Sequence, residues 1–243
     1  MSPVDRAAHL NRWRTRSLAE KSVLAFGMMA LALAFPPFPV APVVAVVMTV
    51  ATLVGAQVPP RTWLACVAAP FGFLLVGSLS LALQVGDGGL GLAPDGLATA
   101  AGATARALAG VTALLFLALT TPATDLVAGA RRLGLPGEIA EVALLTYRFL
   151  FLLGATALAM DTAQAARLGH AGAGRRLRSL GVLIANLLPR SLDRARRLEV
   201  GLAARGWTGE MRVLSRHAAV SWPALAVVLT IEAGVAGLGF WAR

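Results

Sequence analysis

Six apolar stretches punctuate the sequence, at about 22–38, 40–58, 62–84, 105–121, 141–160 and 218–241. A helix needs roughly 20 apolar residues to cross the ~30 Å hydrocarbon layer, and 62–84 and 218–241 meet that length. Of the 243 residues, 57% are hydrophobic and 14% charged. A soluble domain of this size could not bury so much apolar side chain. The fold class expected is all-α: a polytopic membrane helical bundle with cytoplasmic amphipathic helices.

The first two stretches are short, and Pro36-Pro37-Phe38-Pro39 between them is a helix breaker, because proline lacks an amide hydrogen. They read as a helical hairpin. Arg12, Arg14, Arg16 and Lys21 precede the first stretch in the manner of a signal peptide. The run continues past the prolines without a small-residue cleavage site, so it reads as a retained span. Segment 85–104, glycine-rich with Asp87 and Asp95, reads as an external loop. Gly234, Gly237 and Gly239 in the last stretch suit close packing against a neighbouring span.

Charge sets the expected topology. Residues 161–216 hold eleven arginines against Asp161, Asp193, Glu199 and Glu210. With the basic N-terminus, this segment belongs on the cytoplasmic side of the inner membrane. An even number of spans must then precede residue 161. The stretch 141–160 carries Arg148 in its middle, and a charge at the bilayer centre costs at least about 2.5–3.5 kcal/mol. Residues 138–168 are therefore read as one long non-crossing helix, packed against the spans from the cytoplasmic side. Five spans remain, with the C-terminus outside. The modules expected are 1–121 (transmembrane helices), 122–217 (cytoplasmic helices) and 218–243 (a last transmembrane helix).

Within 188–206, Arg190, Arg194, Arg197, Gly201 and Arg205 form one stripe at helical spacing. Leu188, Leu192, Ala195, Leu198 and Leu202 fall broadly opposite. This is an amphipathic helix that stops at Gly206. Such helices lie on a membrane or dock on a partner. Small residues flank Arg205 in Ala203-Ala204-Arg205-Gly206-Trp207, and Arg167 in Ala165-Ala166-Arg167-Leu168-Gly169. A guanidinium presented this way suits bidentate pairing with a carboxylate.

These two Ala-Arg pairs carry a resemblance. With HLNRW…EKSVLAF, RRLGLP, LLTYRFLF and PRSLDRARRLEVGLAARGWTGE, the chain resembles the transmembrane T component of energy-coupling factor transporters, of the CbiQ cobalt-transport type. The family's Ala-Arg-Gly motif is intact as Ala204-Arg205-Gly206. At Ala166-Arg167 it is interrupted by Leu168 before Gly169. The resemblance implies a non-catalytic coupling subunit of an ATP-driven importer. Ala166, Arg167, Ala204, Arg205 and Gly206 would dock two ATP-binding cytoplasmic subunits. The helices would move a CbiM-like substrate-binding membrane subunit, with room for a small CbiN-like subunit. It implies cobalt as cargo, with nickel or a vitamin as the alternative.

The residues themselves point to no resident metal or cofactor. His9, His170 and His217 are scattered, Cys66 is alone in an apolar run, and no phosphate-binding glycine loop is present. ATP would be handled by another subunit, and the basic charge is spent on topology and lipid rather than nucleic acid. Glu232 is the one acid inside a true span and reads as paired with a polar or basic group in a neighbouring helix or a partner, with a functional role as the alternative. A phosphatidyl-transferase-like enzyme would need several clustered aspartates, and none follows Asp161 before Asp193. A self-sufficient carrier would need polar residues in several spans.

Overall fold

The prolines act first. In the computed structural model, which describes residues 3–86, 89–92, 94–207 and 220–242, helix α2 (Leu18–Ala34) stops at an extended Phe35. Helix α3 (Pro37–Val50) starts two residues later, its Phe38 non-helical, and runs on through a π turn, Ala51–Gly55. The two pack as the expected hairpin. The short α1 (Pro3–Leu10) precedes them, and α4 (Pro60–Ala82) and α5 (Gly96–Thr120) follow. Then come α6 (Ala123–Arg132), α7 (Gly137–Ala166), α8 (Ala173–Ala203) and α9 (Trp222–Trp241).

The helical architecture matches the expectation, with local corrections. Strands β1 (Leu83–Gly86) and β2 (Gly89–Leu92) form a small antiparallel hairpin where a loop is expected. Helix α5 starts at Gly96, inside that supposed loop, because Ala and Leu from 97 onward outweigh its glycines. Helix α8 begins at Ala173 rather than near 188 and runs through Pro189. Asp87, Glu210, Arg212, Arg216 and His217 lie outside the described residues.

Among the described residues, five helices can cross a membrane by length and composition: α3 with its π turn, α4, α5, α7 and α9. The number equals the expected one and the membership differs. The 17 residues of α2 stand at the lower limit for a span. The 30 residues of α7 are ample, so length alone does not set it apart from the spans.

Two compact units divide the chain. The first comprises Met1–Leu126 and Arg216–Arg243, the second Val127–Ser215. In the first, α2, α3 and α9 pack on α5 or on each other around Leu24, Met28, Val40, Val44, Met48, Ala109, Ala113 and Phe116. Ala109 and Ala113, both fully buried, let α3 approach α5 closely. That is how helices associate in lipid, where close contact replaces the hydrophobic drive. Trp13 meets Phe116 edge-on at 5.5 Å, and Arg16 stacks over Trp13 at 4.5 Å.

Polar groups tie the helix ends of this unit. The carbonyls at the end of α5 lack partners within the helix. Lys21 Nζ, almost wholly buried, donates to Thr120 O at 3.0 Å, and Asn11 Nδ2 donates to Leu119 O and Thr120 O at 3.3 Å. Next to Lys21, the Glu20 carboxylate accepts from the Ser221 amide at 2.7 Å, at the start of α9. Cation at a helix C-terminus and anion at an N-terminus both suit the helix dipole.

The glycines of α9 behave differently from one another. A Cβ at Gly239 would strike the Phe35 ring at 2.6 Å, whereas Gly234 and Gly237 have nothing within 4 Å. Of these three glycines, Gly239 is the one in close contact within the chain. Glu232 lies against Gly27 of α2, where a Cβ would collide with its carboxylate. Its Oε1 has no hydrogen-bond partner among the described residues.

Candidate functional site

The end of α8 is closed by its own backbone. Trp207 N–H donates to Leu202 O at 3.1 Å and Gly206 N–H to Ala203 O at 3.0 Å, with Gly206 at φ +70°. This pair of crossed bonds is the Schellman cap, whose turning residue adopts the left-handed conformation. Glycine fills it without the cost a side chain would bring. Arg205 is the residue just before the turn.

The end of α7 repeats this residue for residue. Gly169 N–H donates to Gln164 O at 2.9 Å and Leu168 N–H to Ala165 O at 3.0 Å, with Leu168 at φ +59°. Ala166-Arg167-Leu168 therefore occupies the same three positions as Ala204-Arg205-Gly206. The leucine is no insertion into the motif. It stands in the glycine's place, in a conformation that costs a branched L-residue about 1–2 kcal/mol.

Side chains hold this turn. Ser179 Oγ donates to Gly169 O at 3.2 Å, and His170 Nε2 meets Asp161 Oδ1 at 3.1 Å. Gly169 is required where it stands: a Cβ there would lie 2.6 Å from Ser179 Oγ and 2.8 Å from Gln164 O. Helix α6 ends in the same cap at Gly134 (φ +105°), with Leu135 N–H to Ala130 O and Gly134 N–H to Arg131 O. Leu133, not arginine, occupies the position before its turn.

Arg167 and Arg205 are both exposed, and neither side chain has a hydrogen-bond or ion-pair partner among the described residues. Ala166 and Ala204 beside them are exposed as well and add no bulk. Each guanidinium is thus free to pair with an external anion, next to a backbone that another protein can approach closely. Chemically, the two ends are anion-seeking contacts at the ends of long helices.

The arginine stripe of α8 is exposed along its length, and part of it borders a groove. Arg194 and Arg197 line a cavity of about 690 Å³ with Leu198 and residues of α7, including Arg148 and Phe151. His9 Nδ1 is engaged by Asp5 O at 2.8 Å, and Cys66 is a partly buried free thiol. Among the described residues, no three of His, Cys, Asp and Glu converge as a metal site would require. The common cap is hard to see in the sequence, because Leu168 conceals the register. The one clue is that alanine and arginine keep their order before it.

Comparison with known proteins gives one consistent answer. The family model for CbiQ, cobalt transport protein, matches residues 10–214. The chain is 53% identical over 239 residues to the cobalt transport protein CbiQ of Rhodobacter capsulatus, covering 98% of each. It is 29% identical to the protein of the same name from Salmonella typhimurium, covering 88% of this chain and all of that one. A putative fused cobalt transport protein CbiMQ of Methanocorpusculum labreanum matches at 29% identity, over 76% of this chain and 33% of its own length. A helical membrane protein with this match along nearly its whole length belongs to the CbiQ family of cobalt transport proteins.

Proposed function

We propose that this chain is the coupling subunit of an ATP-driven cobalt importer, transmitting the motion of two ATP-binding subunits to a substrate-binding membrane subunit. The observation that carries the reading is the pair of matched helix ends. One unit presents two exposed, unpartnered arginines at the same position of the same cap, on two long helices. Two like contacts suit two copies of one soluble partner. Ala166, Arg167, Ala204, Arg205 and Gly206 form them.

Long packed helices such as α7 and α8 move as levers, so a small shift at their ends becomes a larger one elsewhere. The fused CbiMQ relative supports a CbiM-like membrane partner. Cobalt as cargo follows the names of the relatives. The arginine-rich segment that includes α8 lies in the cytoplasm of this reading, at the inner membrane, with α2, α3, α4 and α5 crossing before it and α9 after. Helix α7 stays on the cytoplasmic side, because Arg148 would otherwise sit near the bilayer centre.

The test is co-purification and uptake. Tagged chain expressed with its transporter neighbours should bring down ATP-binding subunits, and cells should accumulate cobalt only when all components are present. Cobalt uptake unchanged by deleting the chain would contradict the reading.

A further inference from the structure

We propose that the cavity between α7 and α8 is a binding site for the headgroup phosphate of an anionic phospholipid. Three arginines line it: Arg148 from α7, and Arg194 and Arg197 from α8. No carboxylate lines the cavity, and among the described residues none of the three has an ion-pair or hydrogen-bond partner. Asp193 stands four residues before Arg197 on α8, a spacing at which helix side chains can meet, but the two form no ion pair, and Glu199, two residues after Arg197, faces another way. Three like charges around one space repel one another, and a bound anion relieves that repulsion.

The walls decide which anion. Phe149, Phe151 and Leu198 line the same space as the arginines. An inorganic phosphate gains nothing from phenyl and leucyl surface. A phospholipid uses both parts, its phosphate in the arginine forks and its glycerol and upper acyl carbons on the aromatic wall. The space is an open groove of about 690 Å³, within the size range of small-molecule sites. Basic pockets between helices at the cytoplasmic face are where anionic headgroups bind. Lipid here would tie α7 to α8 at their crossing, apart from the two arginine-bearing ends.

The experiment is native mass spectrometry of the purified full chain in detergent, with phosphatidylglycerol or phosphatidylcholine added. Phosphatidylglycerol should be retained about tenfold or more over phosphatidylcholine, as one charge-assisted contact of this kind provides. The triple change Arg148→Gln, Arg194→Gln, Arg197→Gln should bring the two lipids level. The triple change Arg175→Gln, Arg176→Gln, Arg178→Gln removes equal charge from α8 and should keep the preference. Equal loss in both triples means diffuse attraction, and no loss in either means another site; each overturns the proposal. Displacement of the lipid by equimolar inorganic phosphate would make free phosphate the ligand and overturn it as well. So would a wild type without lipid preference whose cavity triple no longer assembles with its membrane partner, since the cavity would then seat protein. Should the cavity triple not fold, phosphatidylglycerol carrying a photoreactive headgroup is applied to the wild type. Labelling within 148–155 and 194–198 is expected, and labelling confined to other segments refutes the site.

Discussion

Leu168 and Gly206 occupy equivalent left-handed positions at the ends of α7 and α8, with φ of +59° and +70°. One position is filled by the residue best suited to it and the other by a residue that resists it. The leucine turn is held by Ser179, and His170 pairs with Asp161 beside it, whereas no side-chain bond braces the glycine turn among the described residues.

Replacement therefore has opposite signs at the two ends. Leu168→Gly removes about 1–2 kcal/mol of left-handed cost, offset by roughly 0.5–1 kcal/mol of added chain entropy. Amide exchange of Gly169 should stay equal or slow. Gly206→Ala should speed exchange at Trp207, with a cost near 1 kcal/mol. Faster exchange at Gly169 in Leu168→Gly would contradict the equivalence.

The Glu20–Ser221 bond joins residues far apart in sequence and fixes the start of α9. Glu20→Ala should lower thermal stability by about 1–2 kcal/mol, the range for a lost helix cap. Glu20→Gln keeps an acceptor and should recover much of that. Equal loss in both variants would show that charge rather than the hydrogen bond matters.

Close helix approach makes a steric prediction. Gly239→Ala drives a methyl into Phe35 and should destabilise the bundle by about 1–3 kcal/mol. Gly234→Ala and Gly237→Ala meet open space and should be nearly neutral in the isolated chain. Melting in detergent of the three single variants checks this, and a uniform effect would argue against the α2–α9 packing.

Topology is accessible to labelling. With Cys66 replaced by serine, a cysteine at 178 should resist membrane-impermeant maleimide applied to intact cells and react after lysis. Ready labelling from outside would place α8 on the wrong side for contact with cytoplasmic subunits.

Several features are legible in the sequence because their cause is local. Pro36 to Pro39 stops α2 through the missing amide hydrogen, and the absence of proline from Gly137 to Ala166 lets α7 run as one helix through Arg148. The helix ends beside Arg167 and Arg205 are likewise marked by adjacent glycine. The start of α5 at Gly96 is not legible, since glycine and aspartate around it speak for a loop. Lys21 reads as one more cytoplasmic charge, yet it is buried on a carbonyl 99 residues away, which no local pattern encodes. The cap at Leu168 runs against the residue's own preference, so only the backbone bonds disclose that it matches Gly206.

The central claim is that Arg167 and Arg205 anchor the chain to two ATP-binding subunits, and their substitution tests it most directly. Truncating one partner of a desolvated charge pair costs about 2–5 kcal/mol, against roughly 0–1 kcal/mol for an exposed pair. Arg205→Ala should weaken co-purification with those subunits and cut ATP-driven cobalt uptake while membrane insertion stays normal. Arg167→Ala should act likewise, the double variant more strongly, and Arg205→Glu more than Arg205→Ala through added repulsion. Arg176→Ala, in α8 but outside both caps, should leave assembly intact. If Arg205→Ala and Arg176→Ala assemble equally well, the arginines serve only topology and lipid, and the coupling role is wrong.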